Sequence, residues 1–130
     1  MELCDKNLSK LLKDKYLKDN KGFNIEEIRE IMKQLNEGFK IMIKNNIIHR
    51  DLKLENILIK YKENKEYIIK LADYGSSKKL DSTISSEKYS NSFVGTLHYM
   101  APEILNKEKY NYKCDLWRID VIIYILKYVN

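Results

Sequence analysis

His49-Arg50-Asp51-Leu52-Lys53-Leu54-Glu55-Asn56 is the stretch on which the reading of this chain turns. It lies between a long amphipathic pattern and a short apolar run, Ile57-Leu58-Ile59. A segment this rich in charge, wedged between apolar elements, is poorly suited to packing alone. It puts Asp51, Lys53 and Asn56 on one short loop. Those are a candidate base, a fixed positive charge and a neutral oxygen ligand for a cation. All three suit chemistry on a phosphate.

Upstream of the loop, Ile28, Ile31, Met32, Leu35, Phe39, Met42 and Ile43 recur at three- and four-residue steps, which predicts a helix with one core face. Asn24 with Glu27 three residues on is a capping-box pattern at its start. Asn45-Asn46 is its stop. Before it, Leu8, Leu11, Leu12 and Tyr16 fit one face of a shorter helix that ends in the polar run 18–22. Downstream, Ile57-Leu58-Ile59 and Tyr67-Ile68-Ile69-Lys70-Leu71 read as two strands of a hairpin. Asp73-Tyr74-Gly75 closes the second strand. Residues 76–94, rich in Ser, Lys and Asp and without a period, read as a long, mobile surface loop. Pro102 after Ala101 fits the first position of a short helix. From Lys113 to Val129 the pattern is helical and apolar nearly all round, which predicts a helix buried on most sides. The fold class expected is mainly α with a small β-hairpin, in one unit spanning 1–130.

A length of 130 residues bounds the chain to one domain or part of one. The net charge of +5 does not point to nucleic acid, because Lys is spread along the chain beside Asp or Glu and forms no long run. The two cysteines, Cys4 and Cys114, have no neighbouring Cys or His at metal spacing, so a zinc site is not supported. The first residues carry no secretory signal. The longest apolar run, Val121 to Leu126, is far short of the roughly 20 residues that cross a bilayer. The expected setting is cytoplasmic, with no membrane and no nucleic-acid partner.

Four landmarks stand in a fixed order: the 49–56 stretch, Asp73-Tyr74-Gly75, Gly95-Thr96 followed by Tyr99-Met100-Ala101-Pro102-Glu103, and Asp115-Leu116-Trp117. Together they resemble the C-terminal lobe of a eukaryotic protein kinase of the serine/threonine type. The resemblance runs from the end of the hinge, Met1-Glu2-Leu3-Cys4, to the large apolar helix. It implies phosphoryl transfer from ATP to a protein Ser or Thr hydroxyl, with Mg²⁺. It casts Asp51 as the group that orients the hydroxyl and accepts its proton, and Lys53 as the contact to the transferring phosphoryl group. Asn56 and Asp73 become the magnesium ligands, and Thr96 the hydroxyl that bonds toward Asp51 and Lys53. His49 is expected to be a packed scaffold residue, Tyr74 an aromatic packing group, and His98 a structural histidine. Arg50 resembles the arginine that pairs with a phosphorylated residue, with Thr83, Ser85, Ser86, Ser90 and Ser92 as the candidate phosphosites.

The sequence also departs from that pattern. It contains no Gly-x-Gly-x-x-Gly and no Val-Ala-Ile-Lys. An N-terminal lobe and the last helices are expected to be missing, including the arginine that normally pairs with Glu103. Where the family usually continues Asp-x-Trp with Ser-x-Gly, this chain has Arg118 and Asp120, two large charged residues in an expected packed region. Two further expectations follow. The chain alone should show little or no transfer. Alternatively it is a truncated, inactive pseudokinase-like or fragment protein, acting through a protein partner that covers the 113–129 helix.

Overall fold

The computed structural model of the protein describes residues 3–64, 66–80 and 95–128. The five candidate phosphosites between 83 and 92 lie outside the described residues. The described chain is mainly helical with small antiparallel sheets, in the order β1 (Lys6–Asn7), α1 (Leu8–Asp19), α2 (Ile25–Lys44), β2 (Ile47–Ile48), β3 (Ile57–Tyr61), β4 (Tyr67–Leu71), β5 (Lys78–Lys79), α3 (Pro102–Leu105) and α4 (Lys113–Tyr128).

Helix α2 starts where its cap chemistry dictates. The Asn24 side chain accepts from the Glu27 N–H at 2.9 Å, and the Glu27 carboxylate accepts from the Asn24 N–H at 2.8 Å. Two otherwise orphaned donors are thereby satisfied. Ile28, Ile31, Leu35, Phe39 and Met42 are buried along one face, while Ile43, expected on that face, is exposed. Asn46 takes a left-handed backbone (φ 57°), which Asn tolerates, and turns the chain into β2. Asn24→Ala should cost about 1 kcal/mol in urea unfolding, and Asn24→Ser should recover most of it.

Strands β3 and β4 form the expected hairpin, with Ile59 opposite Ile69. Ile57 and Ile59 point inward, and Leu58 and Lys60 are half-buried on the other face. Two short strands escaped the local patterns. β1 extends this sheet by pairing Lys6 with Ile59, and β5 pairs with β2 through Lys79 and Ile47. Residues 78–79 are therefore strand, a correction to the loop expected over 76–94. A strand of two residues forms only because a partner is waiting, so no local period announces it.

The main core joins α1, α2, β3 and α4 through Leu8, Ile31, Leu35, Ile57, Ile122 and Leu126. A second cluster, including Ile48, Leu80, Ile104, Tyr110 and Cys114, lies beyond the 49–56 loop. Leu52 and Leu54 anchor that loop in the first core and Ile48 enters the second, so the loop is held from both sides. Gly22 permits the approach of α4: a Cβ there would sit 2.6 Å from the Leu126 carbonyl oxygen. The adjacent Phe23 N–H donates to that same oxygen at 2.8 Å.

Helix α4 corrects a second expectation. It buries a single stripe, Cys114, Asp115, Arg118, Ile122 and Leu126, and leaves Leu116, Trp117, Tyr124 and Tyr128 exposed. A groove of about 470 Å³ between α2 and α4 is lined by Met32, Phe39, Leu116 and Ile123 together with Arg29 and Lys33. No described helix is long and apolar enough to cross a membrane.

Candidate active site

Asp115 sets the shape of the 49–56 loop. Its carboxylate, 1% exposed, accepts from the His49 N–H at 2.7 Å and the Arg50 N–H at 3.0 Å. Arg50 is thereby held in the left-handed region (φ 68°), a conformation that costs a non-glycine residue about 1 kcal/mol or more. Burial pushes the Asp115 carboxyl above its ordinary range, against the two backbone bonds that favour its charge. His49 completes the frame. Its ring Nε2 lies 3.0 Å from the Ala72 carbonyl and its Nδ1 lies 3.4 Å from the Asp51 N–H, an arrangement that the Nε2-protonated tautomer satisfies. The Tyr74 ring packs against it with centroids 5.0 Å apart. His49 is thus the packed scaffold residue expected.

Asp51 is the centre of the cluster. Its Oδ1 accepts from the Thr96 hydroxyl at 2.7 Å and the Thr96 N–H at 2.8 Å. Lys53 Nζ lies 3.3 Å from Asp51 Oδ2 and donates to Thr96 Oγ1 at 3.2 Å. Asn56 Nδ2 donates to the Asp51 carbonyl at 2.8 Å. Burial raises the Asp51 carboxyl, but the bonds from Thr96 and Lys53 outweigh it and hold the group below its ordinary 3.8. Asp51 is therefore a carboxylate at neutral pH, fixed in direction by Thr96 on one oxygen and Lys53 on the other.

That shift has a sign. A carboxyl lowered by folding contributes stability that is present above its unfolded value and lost as pH falls through the folded value. Thr96→Val removes one charge-assisted bond and should cost about 1.5–3 kcal/mol at pH 7. The difference from the wild type should shrink as pH falls below 3.8, where Asp51 takes up its proton. Denaturant titrations at pH 7 and pH 3 check both statements.

Asn56 and Asp73, the expected cation ligands, come from different elements but share a backbone tie. The Ala72 N–H donates to the Asn56 carbonyl at 2.9 Å, one residue before Asp73. Asp73 is exposed and also left-handed (φ 60°), with its Oδ1 capping the Gly75 N–H at 3.4 Å. The Asn56 amide nitrogen is committed to Asp51, which leaves its oxygen as the ligating atom. A carboxylate and an amide oxygen fit a hard cation that keeps water and phosphate in its other positions. No cluster of three or more His, Cys, Asp or Glu suited to a metal occurs among the described residues.

Arg50 donates to the Ser76 carbonyl and, at 3.5 Å, to the Tyr110 hydroxyl, while the phosphorylated partner expected for it falls outside the described residues. Two expectations change. His98 is exposed rather than packed. Arg118 does not disrupt α4: it is fully buried, its Nη1 3.9 Å from Asp51 Oδ1, while Asp120 faces solvent. The sequence reading missed the anchoring role of Asp115. Its signal was a lone acidic residue in the first turn of an apolar helix.

The protein kinase domain profile matches residues 1–129. Serine/threonine-protein kinase pakG of Dictyostelium discoideum is 37% identical over 121 residues, which is 93% of this chain and 10% of that protein. Calcium-dependent protein kinase 4 of Plasmodium falciparum is 39% identical over 113 residues, 87% of this chain and 20% of that protein. MAP kinase-activated protein kinase 2 of Oryctolagus cuniculus is 39% identical over 109 residues, 82% of this chain and 28% of that protein. The chain therefore spans between a tenth and about a quarter of the length of these relatives. With the profile matched over nearly its whole length, the chain belongs to the protein kinase domain family.

Proposed function

We propose that this chain carries the catalytic loop of a serine/threonine protein kinase, as the C-terminal-lobe part of a kinase domain spanning 1–130, and that its reaction is phosphoryl transfer from ATP to a protein Ser or Thr hydroxyl. The observation that supports the reading best is the Asp51 carboxylate, fixed by Thr96 and Lys53 beside Asn56. Asp51 orients the acceptor hydroxyl and takes its proton as the new bond forms. Held low, it is a weak base, so it acts more by orientation than by early proton removal. Lys53 contacts the transferring phosphoryl group, and Thr96 keeps both side chains in place. Asn56 and Asp73 would hold Mg²⁺, which when bound neutralises charge on the phosphate oxygens. The serine/threonine assignment rests on Lys53 with Gly95-Thr96 and on the likeness to serine/threonine-protein kinase pakG.

This sequence holds no Gly-rich loop or strand lysine to clasp the nucleotide from the other side, so these 130 residues alone should transfer slowly. An end-point assay suits that expectation. The chain is incubated for hours with ATP and a mixture of Ser, Thr and Tyr peptides, and products are read by mass spectrometry. The proposal expects Mg²⁺-dependent product on Ser or Thr above the level of Asp51→Asn. Product on Tyr, or product equal in the variant, overturns it.

A second reading has its own observation. Leu116, Trp117 and Tyr124 are roughly half exposed on α4, and leaving such side chains partly wet forgoes a part of the roughly 1.5–3 kcal/mol that full burial of each would supply. A protein partner covering α4 would recover this. Binding of a hydrophobic dye and self-association by light scattering are then expected. A monomer that binds no dye removes the basis for the partner.

A further inference from the structure

Arg118 stands out among the buried groups. It is 0% exposed, and none of its three guanidinium nitrogens has a hydrogen-bond partner among the described residues. A buried charge persists only where other charges offset it. The opposite charges at hand are two. Asp115 already gives both oxygens to backbone N–H groups of the loop. Asp51 presents Oδ1 at 3.9 Å, the same oxygen that holds Thr96. At that separation, away from water, attraction between unit charges is strong without a direct hydrogen bond.

Shape points to the same place. Gly95 has φ +108°, and a Cβ there would collide with Arg118 Nη2 and with the Arg50 carbonyl. The guanidinium therefore fills the corner where α4, the 49–56 loop and the Gly95–Thr96 turn meet. Each of those three elements supplies one part of the Asp51 constellation.

We propose that Arg118 is a positioning residue: from α4, its charge holds the Asp51 carboxylate against the Gly95–Thr96 turn, so that Thr96 stays bonded to Asp51. The proposal rests on the reading of Asp51 as the group that meets the acceptor hydroxyl. Arg118 touches no substrate and acts through Asp51. A space-filling residue would be replaceable by any side chain of its volume. A positioning charge would not.

The test uses the full chain and reads amide hydrogen exchange at Thr96 by NMR, which needs no catalysis. Arg118→Met keeps the volume and removes the charge, and Arg118→Lys keeps the charge. In Arg118→Met the Thr96 amide should exchange roughly tenfold faster, the size expected when a bond to a charged acceptor is loosened. The amides in the middle of α2 should not change, and Arg118→Lys should restore slow exchange at Thr96. In an Asp51→Asn background the effect of Arg118→Met should vanish, since the coupling runs through that carboxylate. Unchanged Thr96 exchange in a folded Arg118→Met overturns the proposal, as does equal acceleration in Met and Lys variants. Arg118→Gln serves if Arg118→Met does not fold. If both neutral variants fail while Arg118→Lys folds, the charge is needed for folding and the positioning claim falls. Absence of phosphoryl transfer counts against the proposed function and leaves the exchange result to decide on Arg118.

Discussion

Asp51→Asn should reduce phosphoryl transfer by about 10²–10⁴-fold, the range attached to a positioned acid–base group. The substitution is nearly isosteric. Asn keeps an oxygen for the Thr96 hydroxyl and N–H, so the turn at Gly95–Thr96 should survive. What is lost is the charge. Without it no group in the cluster accepts the proton of an incoming hydroxyl, and Lys53 and Arg118 both lose their common counter-charge. The loss should fall on kcat, with KM for ATP little changed, because an interaction made chiefly in the transition state has been removed. Product accumulated over hours at a range of ATP concentrations separates the two. A fall in kcat of less than about threefold would show that Asp51 is not the acceptor, since so small a factor is under 1 kcal/mol of barrier.

Asp115→Ala should be the most damaging substitution for stability around the site. Two buried N–H groups, those of His49 and Arg50, lose the carboxylate that accepts from them. Each such orphan costs about 1–3 kcal/mol. Relief from burying a carboxylate offsets part of this, and a net loss of about 2–4 kcal/mol is expected. Typical margins are only about 5–15 kcal/mol. Asp115→Asn keeps one acceptor oxygen and should lose roughly half as much. The effect should also be local. Arg50 stands in a left-handed conformation that Asp115 maintains, so releasing it should let the loop relax and displace Asp51. Urea unfolding gives the first quantity. Exchange at the Asp51 and Thr96 amides, measured under native conditions, gives the second.

The two substitutions show why parts of the chain were legible and others were not. Asp51, Lys53 and Asn56 fall on one short loop, so their grouping is visible in sequence, and the Asn24–Glu27 cap and the stripe on α2 are local as well. β1 and β5 are not local: each exists because Ile59 or Ile47 offers a free edge far along the chain. The orientation of α4 was hidden for a different reason. Apolar residues surround it, so hydrophobicity does not choose its inner face. That face follows a four-residue step through Cys114, Arg118, Ile122 and Leu126, and it includes the residue that looked least able to be buried. Arg118 goes inward because Asp51 and Asp115 are already there, and their positions depend on the loop. Such mutual dependence between a helix and a loop more than 60 residues apart leaves no mark on either segment alone.

The central claim is that the loop at His49–Asn56 and the turn at Asp73 together form a site for a metal-bound nucleotide. Paramagnetic broadening by Mn²⁺ with ADP, in place of Mg²⁺ with ATP, tests it most directly. In ¹H–¹⁵N spectra of the chain, the amides around Asn56 and Asp73 should broaden first and together, at low ratios of metal to protein. Asp73→Ala should abolish that response while the remaining spectrum is kept. Broadening that begins instead at exposed carboxylates such as Glu30 or Glu37, and is indifferent to Asp73→Ala, would contradict the account.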